Sequence, residues 1–449
     1  MKQAIVMIPA GLLLLAAAFR VAVAGGPAGQ AGAEQAAEGD VVRVFAGARL
    51  HPVSSAPLDD GVMVVVGGKI VAVGTREAVA IPAGAEVIDC RGKVIMPGLV
   101  CTHSHIGSPS GGDMSSPVQP EARVLDSVDV RAKSVARARA GGVTLANVMP
   151  GSGHLISGQT LYLKLRDGGR IEDLALRDGA GGLLGGLKMA NGTNSIRGAP
   201  FPGTRGKSAA LVRQSFLKAL DYQRKKKAAG GDPEKAPERD LAMESLVEVL
   251  EGRRVVHHHT HRADDILTVL RLREEFGFRV VLHHVSDAWK VADEIAASGA
   301  GCSLIMLDSP GGKLEARDFD LRNGAELEKR GVVTAIHTDD PVTDSRWMLR
   351  SAALAVRAGM SPARAIESVT LAGARLLGLE GRVGSLEAGK DADFVVLTGE
   401  PLSVYTRVEE TWVEGRKVFD LERAEDRLLA EGGEGAGDDV MQETCCFTK

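Results

Sequence analysis

Val94-Ile-Met-Pro-Gly-Leu-Val-Cys-Thr-His-Ser-His105 is the stretch around which the chain is organised. An apolar run passes through a Pro-Gly turn and ends in two histidines, the pattern of a short buried strand with polar residues at its far end. Side chains at i and i+2 of a strand project from one face. His103 and His105 therefore point the same way and can hold one cation between them. A His-x-His pair on a polar loop would carry little weight alone. The apolar lead-in and the histidine-ended strands downstream give it weight here.

On the N-terminal side, Val41–Leu50, Gly61–Gly74 and Ala85–Cys90 read as short strands, and Gly67-Gly68 is the turn of a hairpin. No helical period appears before residue 94. Near the other end, Gly384–Leu397 and Thr411–Phe419 are again short strands with Gly turns. Both ends are β-rich, so residues 41–95 and 380–420 are expected to build one small composite β-sandwich. Between them, strands alternate with helical spacing: Gly142–Val148, Gly185–Met189, Val255–His259, Arg279–His284, Ala300–Met306 and Gly331–Ile336. That rhythm predicts an α/β architecture, a (β/α)8 TIM-like barrel over 96–379 with its chemistry at the C-terminal strand ends.

The chain has 449 residues and a formal net charge of −4, with no basic stripe interleaved with aromatics, which argues against a nucleic-acid partner. Residues 1–24 resemble a secretory signal: Lys2, an apolar run from Ala4 to Phe19, and the small-x-small cut Ala22-Val23-Ala24. Export to a bacterial periplasm is expected, with no membrane attachment after cleavage; an uncleaved anchor is the alternative. Residues 25–40 read as a flexible linker and 421–449 as a disordered tail. Five cysteines in so large a chain are no disulfide framework. Cys90 and Cys101 read as small core residues, and Cys445-Cys446 as part of the tail. Arg224-Lys-Lys-Lys227 reads as the solvated end of a helix that begins near Ala209.

Five strand ends carry ligand-type side chains: His103 and His105; Lys188; the run His257-His-His-Thr-His261; His283-His284; and Asp339-Asp340. Imidazole and carboxylate suit zinc and its neighbours. Alternation puts His257 and His259 on one face of their strand. His259, nearer the strand end, is expected at the barrel mouth, and His257 packed within the barrel. His261 either orients substrate or faces solvent. One of His283 and His284 faces the mouth. His51 and His154 read as surface or turn histidines.

With these residues in place, the sequence resembles the amidohydrolase superfamily, and within it the imidazolonepropionase-related branch. Gly67–Gly74 and Val87–His105 resemble that family's opening; Ile366–Leu379 and Val383–Phe394 resemble its close. The resemblance implies a (β/α)8 barrel, a composite β-sandwich and one or two divalent ions, Zn²⁺ first among the candidates. It implies His103, His105, His259, His284 and Asp339 as metal ligands, with His284 chosen over His283 because the family histidine precedes a small residue or Val. Lys188 falls where some relatives carry a carboxylated lysine between two metals and others use one metal without it. Asp339 would serve as general base and then acid in hydrolysis of a C–N bond, amide or cyclic amide. Asn191 and Arg262 are the nearest polar candidates for gripping substrate, a small molecule or short peptide. A prolidase-like dipeptidase is the alternative substrate class, and a non-catalytic scaffold of the same fold is the alternative function. The expected partners allow a homo-oligomer.

Overall fold

The stretch that opens the sequence reading serves two sheets. In the computed structural model, which describes residues 41–107, 113–307 and 313–437, it splits into a strand over Val94–Pro97 and another over Leu99–Ser104. The break is at Gly98, whose N–H donates to the Asp393 carbonyl at 3.0 Å. A Cβ there would lie 2.2 Å from the Thr144 hydroxyl oxygen, so only glycine lets the chain pass. The signal reading of residues 1–24, the linker 25–40 and Cys445-Cys446 lie outside the described residues.

The first sheet takes strands from both ends of the chain. From the start come β1 (Arg43–Leu50), β2 (Leu58–Val66), β3 (Lys69–Thr75), β4 (Glu86–Asp89) and β5 (Val94–Pro97). The middle contributes β6 (Leu99–Ser104), β7 (Val143–Val148), β8 (Ile156–Gln159), β9 (Leu161–Lys164), β10 (Leu187–Ala190), β11 (Val256–Thr260), β12 (Val280–His284), β13 (Gly301–Ile305) and β14 (Thr334–His337). The end supplies β15 (Phe394–Leu397), β16 (Val408–Val413) and β17 (Arg416–Asp420). The terminal sheet runs β17-β16-β15-β5-β1-β2-β3, with β4 beside β1. Its seam is the antiparallel pair β15–β5, Phe394 opposite Pro97 and Leu397 opposite Val94. The β2–β3 hairpin turns at Gly67-Gly68, both at positive φ, as that turn requires. Phe45, Phe394 and Trp412 pack ring on ring in its core, with centroids 4.8 to 5.5 Å apart.

In the middle, β10 to β14 pair in parallel and in chain order, with β8 on the outer edge of β10; β6, β7 and β9 form a second sheet. Backbone hydrogen bonds cross both seams between these sheets. The Asp339 N–H donates to the His103 carbonyl and the His105 N–H to the Asp340 carbonyl, each at 3.1 Å. On the other side the Thr160 and Tyr162 N–H groups donate to the Gly186 and Leu184 carbonyls, each at 3.0 Å. The short antiparallel strands β8 and β9 interrupt the regular strand–helix alternation that the sequence suggests. The long helix Arg205–Ala228 is capped by Thr204, whose hydroxyl accepts from the Lys207 N–H, and ends in exposed lysines, where cations suit the helix dipole.

One buried charge cluster ties the middle to the terminal sheet. Lys164, fully buried at the end of β9, places Nζ 2.5 Å from Asp391 Oδ2, 2.9 Å from Asp393 Oδ2 and 3.5 Å from Glu414 Oε1. The sequence gives no sign of it.

Three expectations are corrected here. The tail expected to be disordered over 421–449 carries a helix at Ala424–Glu431, which packs near the helix Lys133–Ala140. His154 is buried, its Nε2 2.8 Å from the Asp113 carbonyl and its ring against Phe201. His51 is also buried, 3.7 Å from Glu400. Among the described residues no helix is long and apolar enough to cross a membrane. Cys90, Cys101 and Cys302 are free and buried.

Candidate metal centre

His103 and His105 leave the end of β6 on one face, as strand alternation requires, and Asp339 follows β14 next door. His103 Nε2 lies 3.2 Å, and His105 Nε2 3.1 Å, from the same atom, Asp339 Oδ1. All three side chains are buried. His105 Nδ1 sits 2.8 Å from the Met149 carbonyl. A carbonyl accepts only, so Nδ1 carries a proton, and Nε2 is the ring nitrogen that faces Asp339. Asp339 adopts a left-handed backbone, φ +52°, and so do His284 at +69° and the β-branched Val285 at +40°. Such conformations cost roughly 1–3 kcal/mol each and gather where side-chain aim matters more than comfort.

Lys188, on β10, brings Nζ to 3.1 Å from His103 Nε2 and 3.1 Å from the Met149 sulfur. His284 sits on the far side, its Nδ1 4.0 Å from Asp339 Oδ2 and 3.3 Å from His337 Nε2. His259 packs against His284 with ring centroids 4.4 Å apart. The six side chains read from the sequence as ligands thus form a continuous chain of neighbours. His283 turns the other way, its Nε2 3.0 Å from His257 Nδ1, with the Tyr162 hydroxyl 3.2 Å beyond at His257 Nε2. Burial, reinforced by Lys188, holds His257 down at about 3, and burial holds His258 at about 4. Burial first, then the neighbouring ammonium groups of Lys188 and Lys313, keeps His103 and His259 well below the ordinary imidazole range. His103 and His259 are therefore held as neutral imidazoles, the form that binds a cation.

The two residues expected to grip substrate each make a contact within the protein. Arg262 is half exposed and spends its guanidinium on Asp264 at 2.9 to 3.0 Å. Asn191 braces the loop after β10, its side-chain amide donating to the Asp265 carbonyl at 3.0 Å and its N–H to the His259 carbonyl at 3.2 Å.

Two neighbours, His337 and Glu315, escaped the sequence reading. His337 stacks on His103 and is held through Ser303, whose Oγ is 2.7 Å from His337 Nδ1 and 2.5 Å from Thr102 Oγ1. The motif His337-Thr-Asp339 held that signal, a histidine two residues before the aspartate. Glu315 faces His259 at 3.9 Å and comes from a loop with no periodicity to announce it.

A solved amidohydrolase structure from Thermotoga maritima MSB8 is 35% identical to this chain, covers 84% of it and 100% of the other, and superposes with a TM-score of 0.78. The chain belongs to the amidohydrolase family. The Amidohydrolase family profile itself matches residues 247–418, the span from before β11 into β17. Among curated relatives, this amidohydrolase is 28% identical over 376 residues to the amidohydrolase tasK of Hapsidospora irregularis, covering 76% of the chain but only 38% of that relative's length. It is 28% identical over 381 residues to the imidazolonepropionase of Pseudomonas aeruginosa strain UCBPP-PA14, covering 75% of the chain and 87% of that enzyme.

Proposed function

We propose that this amidohydrolase is a metal-dependent hydrolase of C–N bonds, amide or cyclic amide, working at the cluster of His103, His105 and Asp339. The observation that carries the reading is the convergence of two imidazole nitrogens on one carboxylate oxygen at 3.1 and 3.2 Å, fully inside the protein. Adjacent ligands of a tetrahedral ion with bonds of ~2.1 Å lie ~3.4 Å apart, so this donor set has the spacing a divalent cation needs. The tautomer fixed at His105 by the Met149 carbonyl fits the same use. His103, His105 and Asp339 would hold the ion, with Zn²⁺ as first candidate; Lys188 and His284 flank it.

A bound divalent ion supplies Lewis acidity toward a carbonyl and toward water. The protein's own part is positional. Burial holds the His103 imidazole well below its ordinary range, which keeps its donor lone pair free of a competing proton. Asp339 Oδ2 serves as the proton acceptor from the attacking water and returns that proton to the leaving nitrogen. The strained backbone at Asp339 and His284 fixes the aim of both groups.

In this reading the six- and three-stranded sheets together make one closed (β/α)8-type barrel over residues 96–379. Residues 41–95 and 380–420 make the composite β-sandwich, and residues 1–24 direct export. Support for the barrel comes from the backbone hydrogen bonds at both seams. The test is turnover by the zinc-loaded protein on a panel of cyclic amides, N-acyl amino acids and Xaa-Pro dipeptides. At least one class is cleaved, and Asp339→Asn slows that cleavage by at least about 100-fold. Zinc bound with no cleavage across the panel would return the protein to the scaffold reading.

A further inference from the structure

A row of buried polar side chains joins four strands to the centre. Thr102 on β6, Ser303 on β13, His337 at the end of β14 and His284 at the end of β12 are each no more than 1% exposed. Thr102 Oγ1 lies 2.5 Å from Ser303 Oγ, Ser303 Oγ 2.7 Å from His337 Nδ1, and His337 Nε2 3.3 Å from His284 Nδ1. The His337 ring is steadied by His103, on which it stacks with centroids 4.9 Å apart.

Each contact in such a row holds one proton, so the row runs in one direction or the other. His284 stands at its end. Burial first, then the nearness of His259, holds the His284 imidazole well below its ordinary range, so it is neutral and carries one ring proton. In one direction His284 Nδ1 accepts from His337, and the His284 proton sits on Nε2. That atom is buried and has no hydrogen-bond partner among the described residues, so an N–H there is an orphaned donor of the kind native interiors rarely hold. In the other direction His284 donates from Nδ1 to His337 Nε2, His337 donates from Nδ1 to Ser303, and Ser303 donates to Thr102. His284 Nε2 then carries a lone pair, the form that serves a cation or accepts from a substrate N–H. The His284 ring lies 4.8 Å from that of His103 and 4.4 Å from that of His259, and its left-handed backbone, φ +69°, commits it to this position.

We infer that His337, braced by Ser303 and Thr102, is a positioning residue: it accepts the Nδ1 proton of His284 and so fixes His284 as the tautomer whose Nε2 lone pair is open to the centre. This role rests on the hydrolase reading only in taking these imidazoles as the working centre.

Histidine tautomers read by long-range ¹H–¹⁵N spectra of the full chain, cleared of metal and held at neutral pH, test it directly. Subtraction of the His284→Gln spectrum assigns the His284 signals, which in the wild type show the proton on Nδ1. Two variants then separate positioning from packing. The glutamine of His337→Gln places its amide oxygen near the former Nε2 and can still accept from His284. The asparagine of His337→Asn reaches only the former Nδ1, so it keeps Ser303 and loses His284. His337→Asn lets the Nε2–H form of His284 appear and weakens zinc binding, measured by chelator competition, by about 10- to 100-fold, whereas His337→Gln weakens it by less than about threefold. If circular dichroism shows His337→Asn to be unfolded, Ser303→Ala replaces it, and it too releases the His284 tautomer. A wild-type His284 with its proton on Nε2 overturns the inference, and so do equal zinc affinities for the two His337 variants. Nε2–H at His284 with turnover removes this inference and leaves the hydrolase reading intact. Nδ1–H at His284 with no turnover across the substrate panel does the reverse.

Discussion

Replacing Lys164 by methionine should cost the protein several kcal/mol, although the residue is far from any chemistry. Lys164 is fully buried and is approached by three carboxylates, Asp391, Asp393 and Glu414. Methionine fills the volume but removes the charge, so those carboxylates are left facing one another with Lys69, Arg166 and Arg382 as the remaining cations. Breaking a buried ion pair by removing one partner costs about 3–5 kcal/mol. Asp391 gives an independent figure. Burial alone would raise its pKa, but Lys164, then Lys69 and Arg382, bring it from 3.8 down to about 2. That depression corresponds to about 2 kcal/mol of stability. The sign is that of a depressed carboxylate: the contribution is complete above the unfolded value near 4 and disappears as pH falls through about 2. Asp393 works against it, since burial outweighs the pull of Lys164 and its pKa is raised. Lys164→Met should therefore lower the urea midpoint at pH 7 by an amount equal to about 3–5 kcal/mol, and move the acid transition to higher pH. A loss below about 1 kcal/mol, with an unmoved acid transition, would refute the argument that this cluster is held together by the buried ammonium.

Asp339→Asn should leave the fold intact while cutting turnover by about 100- to 10,000-fold, read from kcat on the cleaved substrate with circular dichroism as control. Gly185→Ala should destabilise by about 1–3 kcal/mol, because the new Cβ would lie 2.0 Å from the Thr160 carbonyl oxygen, a backbone atom that cannot step aside; thermal melting checks it. His257 and His258, held at about 3 and about 4 by burial, are neutral in the fold and would bind protons in the unfolded chain below 6.5. Their stabilising contribution is whole above pH 6.5 and shrinks as pH falls toward 4 and 3. Urea midpoints of the metal-free protein should accordingly drop between pH 7.5 and 5, and by less in His257→Gln.

Much of the candidate centre was legible because period-two strands and short sequence motifs are local signals. His103 and His105 share a face by alternation alone, and His257 proves to be packed inward against Tyr162 and His283. The choice of His284 over His283 came from a family likeness rather than geometry, and the backbone explains why alternation could not make it: φ turns positive at His284 itself. Glu315 was illegible because a loop carboxylate acquires meaning only when Gly192 and Thr193, more than a hundred residues earlier, cradle it. Arg262, two residues from Asp264, pairs with it locally, a contact that the spacing alone makes available. Lys164 sits in a short apolar strand with no periodic sign of its charge partners, which arrive from beyond residue 390. The helix Ala424–Glu431 was hidden by acidic, Gly-rich flanks that mimic a solvated tail.

The pairing of β5 with β15 sets a timetable for the nascent chain. Val94–Pro97 leaves the ribosome roughly three hundred residues ahead of its partner Phe394–Leu397, an interval of about 15–60 s at ordinary synthesis rates. Through that interval an apolar edge waits unsatisfied, open to a chaperone or to another unfinished copy. Any prematurely terminated product that stops before residue 394 keeps that edge for good, which makes such fragments natural substrates for degradation rather than partial enzymes.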